Sequence, residues 1–266
     1  MRARTLPALS AAYAGAAYAF LYLPIAVLVI YSFNRDGVGG FPPQHWTLDW
    51  YRMLFADAAM WTAVGNSAIV ALSTVVLSML IGFPAAYALD RYSFPGKAAF
   101  QRLVLLPLIV PGVITGISLL LLTVSSGFHL SLVTVILGHS TALTAVAATE
   151  IFAGLAKLDR ALEEASADLG GNRLQTLVRI VLPGLRTSLL GTALLVFTLS
   201  MDEIAVTFFL IGRENTLPLE IWSRLRRGAT PEMNAIATLI FLFSVITIFL
   251  SQWLMTRGGT EGTQDR

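Results

Sequence analysis

The sequence predicts an all-α integral membrane protein with six transmembrane helices. Of its 266 residues, 56% are hydrophobic and 13% are charged, a balance outside the range of soluble globular domains. The charges are gathered into short segments that separate long uncharged runs. A run of roughly 20 apolar residues suits an α-helix that crosses the hydrocarbon core of a bilayer. The net charge of +2 does not indicate a nucleic-acid surface, and the lack of cysteine excludes disulfides and thiol chemistry.

The first predicted span covers residues 13–33, and Arg2 and Arg4 precede it. Its apolar run is longer than the core of about 7 to 15 residues in a signal peptide, which favours a retained helix over a cleaved leader. The polar loop that follows ends in an aromatic cluster, which predicts a short helix at the membrane interface. A contact between this cluster and an external binding protein is the alternative. The aromatic residues are Trp46, Trp50, Tyr51 and Phe55.

Five further spans complete a transmembrane domain that covers residues 1–256. They are predicted at 62–88, 103–124, 130–152, 187–211 and 233–256. Two histidines, His129 and His139, lie near or within the fourth span, with no cysteine or carboxylate at metal-ligand spacing. A hydrogen-bonded packing role is therefore expected for them rather than a metal site. Residues 257–266 are polar and glycine-rich, which predicts a disordered tail.

Residues 157–183 carry charges at short intervals and therefore belong in water beside the membrane. Apolar residues recur at helical spacing after Asp159, a good N-cap, opposite Arg160, Glu163 and Glu164. Gly170 can form a left-handed turn, and Asn172 can cap a second helix. The pattern predicts a helical hairpin that meets another protein; a plain surface hairpin between two spans is the alternative. The apolar positions are Leu158, Ala161, Leu162, Ala165 and Leu169.

The same segment resembles a known signature. Glu164-Ala165-Ser166, followed at fixed spacing by Gly170, Ile180 and Leu182-Pro183, is similar to the E-A-A motif of permease subunits of bacterial ATP-binding-cassette (ABC) importers, with serine in place of the last alanine. The resemblance implies a type I ABC importer permease fold, in which this loop is a coupling helix that docks in a cleft of the ATPase. The coupling residues it implies are Leu162, Glu163, Glu164, Ala165, Ser166, Asp168, Gly170, Leu182 and Pro183.

The distribution of basic residues predicts the orientation in the membrane. Most of the 18 lysines and arginines lie on one side if the N-terminus is cytoplasmic. The positive-inside rule then places both termini and the predicted coupling loop in the cytoplasm. This is the side where ATP is available.

Two adjacent acids, Asp202 and Glu203, interrupt the fifth predicted span. A carboxylate near the centre of a membrane helix costs about 2.5 to 3.5 kcal/mol on insertion scales, so the pair should face a polar pathway or a partner. Adjacent helical positions differ by about 100°, so only one acid can point fully into such a pathway. Thr198 shares a helix face with Asp202, and Ser200 shares one with Glu203. The alternative is a solvated pair at the outer helix end, or one bound to Arg213.

Three further segments resemble the spermidine and putrescine permeases, namely the second of their two non-identical membrane subunits. They are F-T-L-S-M-D-E at 197–203, L-P-L-E-I-W-S at 217–223 and R-R-G-A-T-P-E-M-N-A at 226–235. The resemblance implies a pathway for a small cationic amine. Gly112 stands where those permeases carry an acid after Pro111, so an opine, an aminophosphonate or another amino compound stays open as the substrate.

The resemblance also implies the partners: an ABC ATPase dimer, a second homologous permease, an extracytoplasmic solute-binding protein and the lipid of a bacterial inner membrane. ATP and Mg would be bound by the ATPase, because Gly96-Lys97 is followed by Ala98 and forms no phosphate-binding loop. No catalytic, metal or cofactor site is predicted in this chain. The alternative of another class is an intramembrane enzyme that uses His139 or Asp202.

Overall fold

The structure is a computed structural model that describes residues 5–36, 42–228 and 230–258. These residues are almost entirely helical, which confirms the all-α prediction, and they form no strand beyond one isolated bridge between Asn34 and Trp46. The helices are α1 (Thr5–Tyr31), α2 (Asp49–Ala56), α3 (Ala58–Arg91), α4 (Lys97–Ile109), α5 (Gly112–Ser125), α6 (Leu132–Leu155), α7 (Ala161–Asp168), α8 (Arg173–Thr176), a π-helical segment (Leu177–Val181), α9 (Leu182–Gly184), α10 (Arg186–Met201), α11 (Ala205–Leu210), α12 (Leu217–Arg227) and α13 (Pro231–Gly258).

By length and composition, α1, α3 and α6 can each cross a membrane. Two bent helix pairs raise this number to five if each pair forms one span: α4 with α5, and 173–184 with α10. The sixth predicted span lies within α13, whose part Pro231–Ile246 is a shorter apolar helix. Of the predicted disordered tail, Arg257 and Gly258 instead continue α13, and the remainder lies outside the described residues.

The third predicted span, 103–124, is not one straight helix. Its two halves, α4 and α5, meet at an angle of 104°. Val110 is extended, with φ −79° and ψ 124°, and Pro111 follows it. Proline has no N–H to continue the helix, and its ring disfavours the helical conformation of the preceding residue. The bend therefore has a local cause, which the sequence prediction missed.

The chain divides into two compact units, one formed by its two ends (1–58 and 221–266) and one by residues 59–220. In the described part of the first unit, α2 packs near the end of α1. The Trp50 indole donates a hydrogen bond to the Asn34 carbonyl (2.9 Å), and the Ser32 and Tyr51 hydroxyls are 2.6 Å apart. Three of the four aromatic residues, Trp50, Tyr51 and Phe55, therefore lie in a short helix, as predicted, whereas Trp46 precedes it.

The second unit is organised around α6, which packs against α4, α5, α10 and α11. Small residues allow close approach between spans. Gly82 of α3 lies so close to Ala147 of α6 that an added Cβ would be 2.9 Å from the alanine Cβ, a contact typical of membrane helices. One core cluster consists of Ala86, Leu143, Ala147, Ile151, Leu155, Val181, Leu185 and Val196. Since Val181 belongs to the segment between α8 and α9, this core anchors the second arm of the predicted hairpin.

Candidate functional site

Residues 157–183, which we call the E-A-A hairpin, fold as two helical arms joined by a glycine turn. Gly170 has φ +83°, the left-handed conformation that ends the first arm, α7. Asn172 begins the second arm with a reciprocal cap. The Asn172 side chain accepts a hydrogen bond from the Gln175 backbone N–H, and the Gln175 side chain accepts one from the Asn172 backbone N–H, each at 2.9 Å. The Asp159 carboxylate accepts the Ala161 N–H at 3.0 Å, although the N-cap position is Arg160. The predicted hairpin is thus present, with its start shifted by one residue.

Ser166, the departure from the E-A-A motif, connects the two arms. Its hydroxyl lies 2.9 Å from that of Thr176, which itself lies 3.2 Å from the Asn172 carbonyl. Because a carbonyl can only accept, Thr176 donates to Asn172 and Ser166 donates to Thr176. Serine therefore adds a link that alanine cannot make. The sequence showed only that serine stands here in place of the last alanine of the motif.

Much of the apolar surface of the E-A-A hairpin is uncovered within this chain. Leu169 is 90% exposed, and Glu164, Asp168 and Pro183 of the same hairpin are exposed as well. Exposed large apolar side chains that lie together mark interaction surfaces. The other exposed members are Leu162, Leu174 and Val178.

One predicted feature of the hairpin is wrong. Glu163 was expected on a solvated face with Arg160 and Glu164, but its side chain is 17% exposed and turns toward the end of α3. There it meets Arg91, with Nη2 and Oε1 2.6 Å apart. The N–H bonds are not aligned with the oxygen, so the contact is an ion pair rather than a directed hydrogen bond. Asp90 also pairs with Arg91, and it lies 3.4 Å from the Arg160 guanidinium.

The second candidate region is the acidic break, residues 202–204, which separates α10 from α11. Asp202 ends α10, and the Glu203 carboxylate accepts the Val206 N–H at 2.8 Å at the start of α11. The expected 100° separation on one continuous helix therefore does not apply. Asp202 is exposed. Within the described part of the chain, neither acid forms an ion pair with Arg213.

The acidic break lies against the bend between α4 and α5. Gly112, the first residue of α5, is so close that an added Cβ would be 3.4 Å from the Ala205 Cβ and 3.8 Å from Glu203 Oε1. Non-helical backbone at membrane depth is tolerated where it is buried in protein or lines a water-filled cavity. Two such interruptions therefore meet at one place in this unit.

The polar residues near the acidic break separate into two environments. Thr198 is exposed on the same side of α10 as Asp202, with its hydroxyl bonded to the Leu194 carbonyl (2.8 Å). Ser200 is instead buried, with its hydroxyl 2.8 Å from Nδ1 of His139. The other ring nitrogen, Nε2, lies 2.8 Å from the Thr207 hydroxyl. His139 thus has the hydrogen-bonded packing role expected for it, and it keeps Ser200 away from any exposed surface.

Among the described residues, no three His, Cys, Asp or Glu side chains come together as a metal site. The E-A-A hairpin offers an apolar and acidic surface, and the acidic break offers carboxylates beside two interrupted helices.

Comparison with known proteins gives the family. The family model described as binding-protein-dependent transport system inner membrane component matches residues 78–257. The putrescine transport system permease protein PotI of Escherichia coli K12 is 37% identical over 256 residues, which cover 93% of this chain and 91% of PotI. The spermidine/putrescine transport system permease protein PotC of Haemophilus influenzae is 34% identical over 241 residues, covering 90% of this chain and 93% of PotC.

Solved structures agree on the fold. A bacterial ABC transporter involved in import of the acidic polysaccharide alginate aligns with a TM-score of 0.74 over 97% of this chain and 98% of its own, at 17% identity. The MetNI methionine ABC transporter, in an inward-facing conformation, aligns with a TM-score of 0.59 over 79% of this chain and 98% of its own, at 16% identity. With its family model, its relatives and its fold in agreement, the chain belongs to the binding-protein-dependent transport system inner membrane components and is a multi-pass permease subunit of an ABC transporter.

Proposed function

We propose that this chain forms one half of a heterodimeric pore in an ABC importer for a small cationic amine such as putrescine or spermidine. The observation that carries the proposal is the exposed carboxylate of Asp202 at the end of an apolar span. A carboxylate on a membrane helix is unfavourable where it faces lipid, so it belongs beside water, a partner or a cation. The relatives named for putrescine and spermidine transport suggest which cation this carboxylate would bind.

The exposed side of α10 supports a pore partner. Leu190, Leu194 and Leu195 are exposed on this helix, and Thr198 and Asp202 continue the same side toward the acidic break. This side of α10 is apolar along most of its length and polar at its end. Such a pattern fits a helix whose apolar part borders a second membrane subunit and whose polar end lines the substrate pathway. The partner permease would cover the leucines, and substrate would pass Thr198 and Asp202. Glu203 and Ser200 would support this region from inside, through Val206 and His139.

A second candidate is the same class of importer acting on another amino compound, such as an opine or an aminophosphonate. Gly112 favours this candidate, because it places no side chain beside Glu203. With glycine at position 112, the pathway has one acid fewer than it would have with glutamate or aspartate there. A substrate with a single amino group needs less negative charge than a polyamine.

The E-A-A hairpin would dock the ATPase. Leu162 and Leu169 would enter an apolar cleft, with Glu164 and Asp168 at its rim. A dimer of ATPase subunits would bind ATP and Mg on the cytoplasmic side, where both termini of this chain would also lie. An extracytoplasmic solute-binding protein would deliver the substrate on the opposite side. Closure of the ATPases would then push on the hairpin and rock the spans as rigid bodies.

The test is ATP-dependent uptake by the complete importer in proteoliposomes. Wild-type protein should take up labelled putrescine or spermidine in preference to an aminophosphonate. Asp202→Asn should reduce the uptake of the cationic amine about tenfold, which corresponds to about 1.4 kcal/mol of lost charge interaction. Asp202→Glu is the matched control, because it keeps the charge and should retain most of the uptake.

Two results would count against the cationic-amine proposal. The first is polyamine uptake at the wild-type rate by both the Asp202→Asn and the Glu203→Gln variant. This result would show that neither acid lines the substrate pathway. The second is preferential uptake of the aminophosphonate, which would favour the second candidate.

A further inference from the structure

The first arm of the E-A-A hairpin is attached to the rest of its unit in an unusual way. α7 contains no buried residue, and its helix-to-helix packing is with α8 and the following π-helical segment, both within the hairpin itself. The second arm differs, because Val181 is fully buried in the core with Ala86 of α3. Among the described residues of the hairpin, core packing therefore involves the second arm and Leu158, which precedes α7, whereas α7 itself buries no residue.

An ion cluster provides the direct attachment of α7 to α3. Arg91 is the last residue of α3, and its side chain is only 8% exposed between Asp90 and Glu163. The Glu163 carboxylate comes from the first half of α7 and approaches Arg91 Nη2 to 2.6 Å. Arg160, just before α7, reaches the Asp90 carbonyl at 3.1 Å. Four charged residues thus connect the end of one span to the start of one arm.

Stability alone does not explain such a cluster. The desolvation of two buried charges largely cancels their attraction, so a buried ion pair is a weak source of net stability. Removal of one partner is nevertheless strongly unfavourable, since it leaves a buried charge without compensation. A pair of this kind resists separation more than it stabilises the fold. That property suits an element that must carry force.

We propose that Arg91 is a positioning residue that transmits movement of α7 to α3 through its ion pair with Glu163. The proposal rests on the proposed docking of the E-A-A hairpin to the ATPase, and it adds the route by which that contact moves a span. Glu164, the adjacent acid, is exposed and faces the docking partner, whereas Glu163 faces α3. Of the two neighbouring glutamates, Glu164 would therefore contact the partner and Glu163 would contact α3 of this chain.

The experiment measures two rates in the same proteoliposomes: uptake, and ATP hydrolysis stimulated by the solute-binding protein. The Glu163→Gln complex should assemble with the ATPase and hydrolyse ATP. The amount of substrate taken up per ATP hydrolysed should fall about fivefold or more, since fivefold is the lower end of the factors by which coupled sites affect each other. Arg91→Gln should give the same loss, and Arg91→Lys should recover part of it. Arg102→Gln is the control, because Arg102 is an exposed arginine of α4 that does not belong to the ion cluster, and this variant should leave the ratio unchanged.

Each outcome decides the question. An unchanged ratio of uptake to hydrolysis in Glu163→Gln would overturn the proposal, and so would a parallel fall of both rates, which marks a merely structural role. If Arg91→Gln does not fold, Glu163→Gln still tests the pair, because it keeps the contact of Arg91 with Asp90. Failure of the proposed docking is recognised separately, since the wild-type chain would then recover no ATPase on purification.

Discussion

His139 offers a quantitative test of how α6 holds the two halves of the interrupted span together. Thr207 lies 3.0 Å from the Glu203 carbonyl, so its hydroxyl proton is donated there. Nε2 of His139 must then donate to Thr207, and in the neutral imidazole Nδ1 accepts from Ser200. This assignment requires the neutral ring with its proton on Nε2. One imidazole therefore bridges α6, α10 and α11, and it is only 2% exposed.

The expected cost follows from the two hydrogen bonds. Hydrogen bonds between helices in a membrane protein contribute about 0.6 kcal/mol on average and up to about 1.7 kcal/mol. His139→Leu keeps an apolar side chain in the site and removes both bonds, so it should lower the unfolding free energy by about 1 to 3 kcal/mol. In a double-mutant cycle with Ser200→Ala, the coupling energy should be about 0.6 to 1.7 kcal/mol.

The assay is reversible unfolding of the purified chain in mixed micelles. Thr141→Val is the control on the same helix, because Thr141 is exposed and its hydroxyl donates to the Leu137 carbonyl of its own helix (2.8 Å). Its effect should stay within about 0.5 kcal/mol. Additive effects of His139→Leu and Ser200→Ala, to within about 0.3 kcal/mol, would refute the bridge.

Two glycine predictions follow. Gly82→Ala should destabilise the chain by about 1 to 3 kcal/mol, because the new Cβ would be 3.0 Å from the Ala148 backbone nitrogen. Gly65→Ala on the same helix is the control, since its new Cβ would meet nothing within 4 Å. Equal melting temperatures of the two variants would contradict this reasoning. Gly170→Val should abolish uptake but not membrane insertion, since a β-branched residue is strained at φ +83°. Gly170→Asn should retain uptake, and normal uptake by the valine variant would argue against the hairpin as the coupling element.

Local signals in the sequence were enough for the parts of the fold that depend on neighbouring residues. Apolar runs indicated the long helices α1, α3 and α6, and Gly170 and Asn172 located the turn of the E-A-A hairpin, because glycine geometry and helix capping act over a few residues. The bend before Gly112 was missed even though Pro111 was visible. A proline in a membrane span is compatible with a kink or with a full break, and the choice depends on packing against α11.

The parts that could not be predicted depend on residues far apart in the chain. Arg91 and Glu163 are both ordinary charges near a membrane surface until α3 and α7 are brought together. Ser200 looked like a pathway residue because its burial by His139, on another helix, has no local signature. The acids at 202 and 203 stood out in the sequence, but the 100° between them was derived for one continuous helix, whereas α10 ends at Met201.

The length of α3 has a consequence for the surrounding bilayer. Its 34 residues give a helix about 50 Å long, whereas the hydrocarbon core is about 30 Å thick. The excess is accommodated by tilt or by extension through the headgroup layer, and the balance between these depends on lipid thickness. Arg91 sits at the very end of this helix. The acyl-chain length of the host membrane therefore affects the height at which α3 holds Arg91 and its ion cluster relative to the headgroup layer.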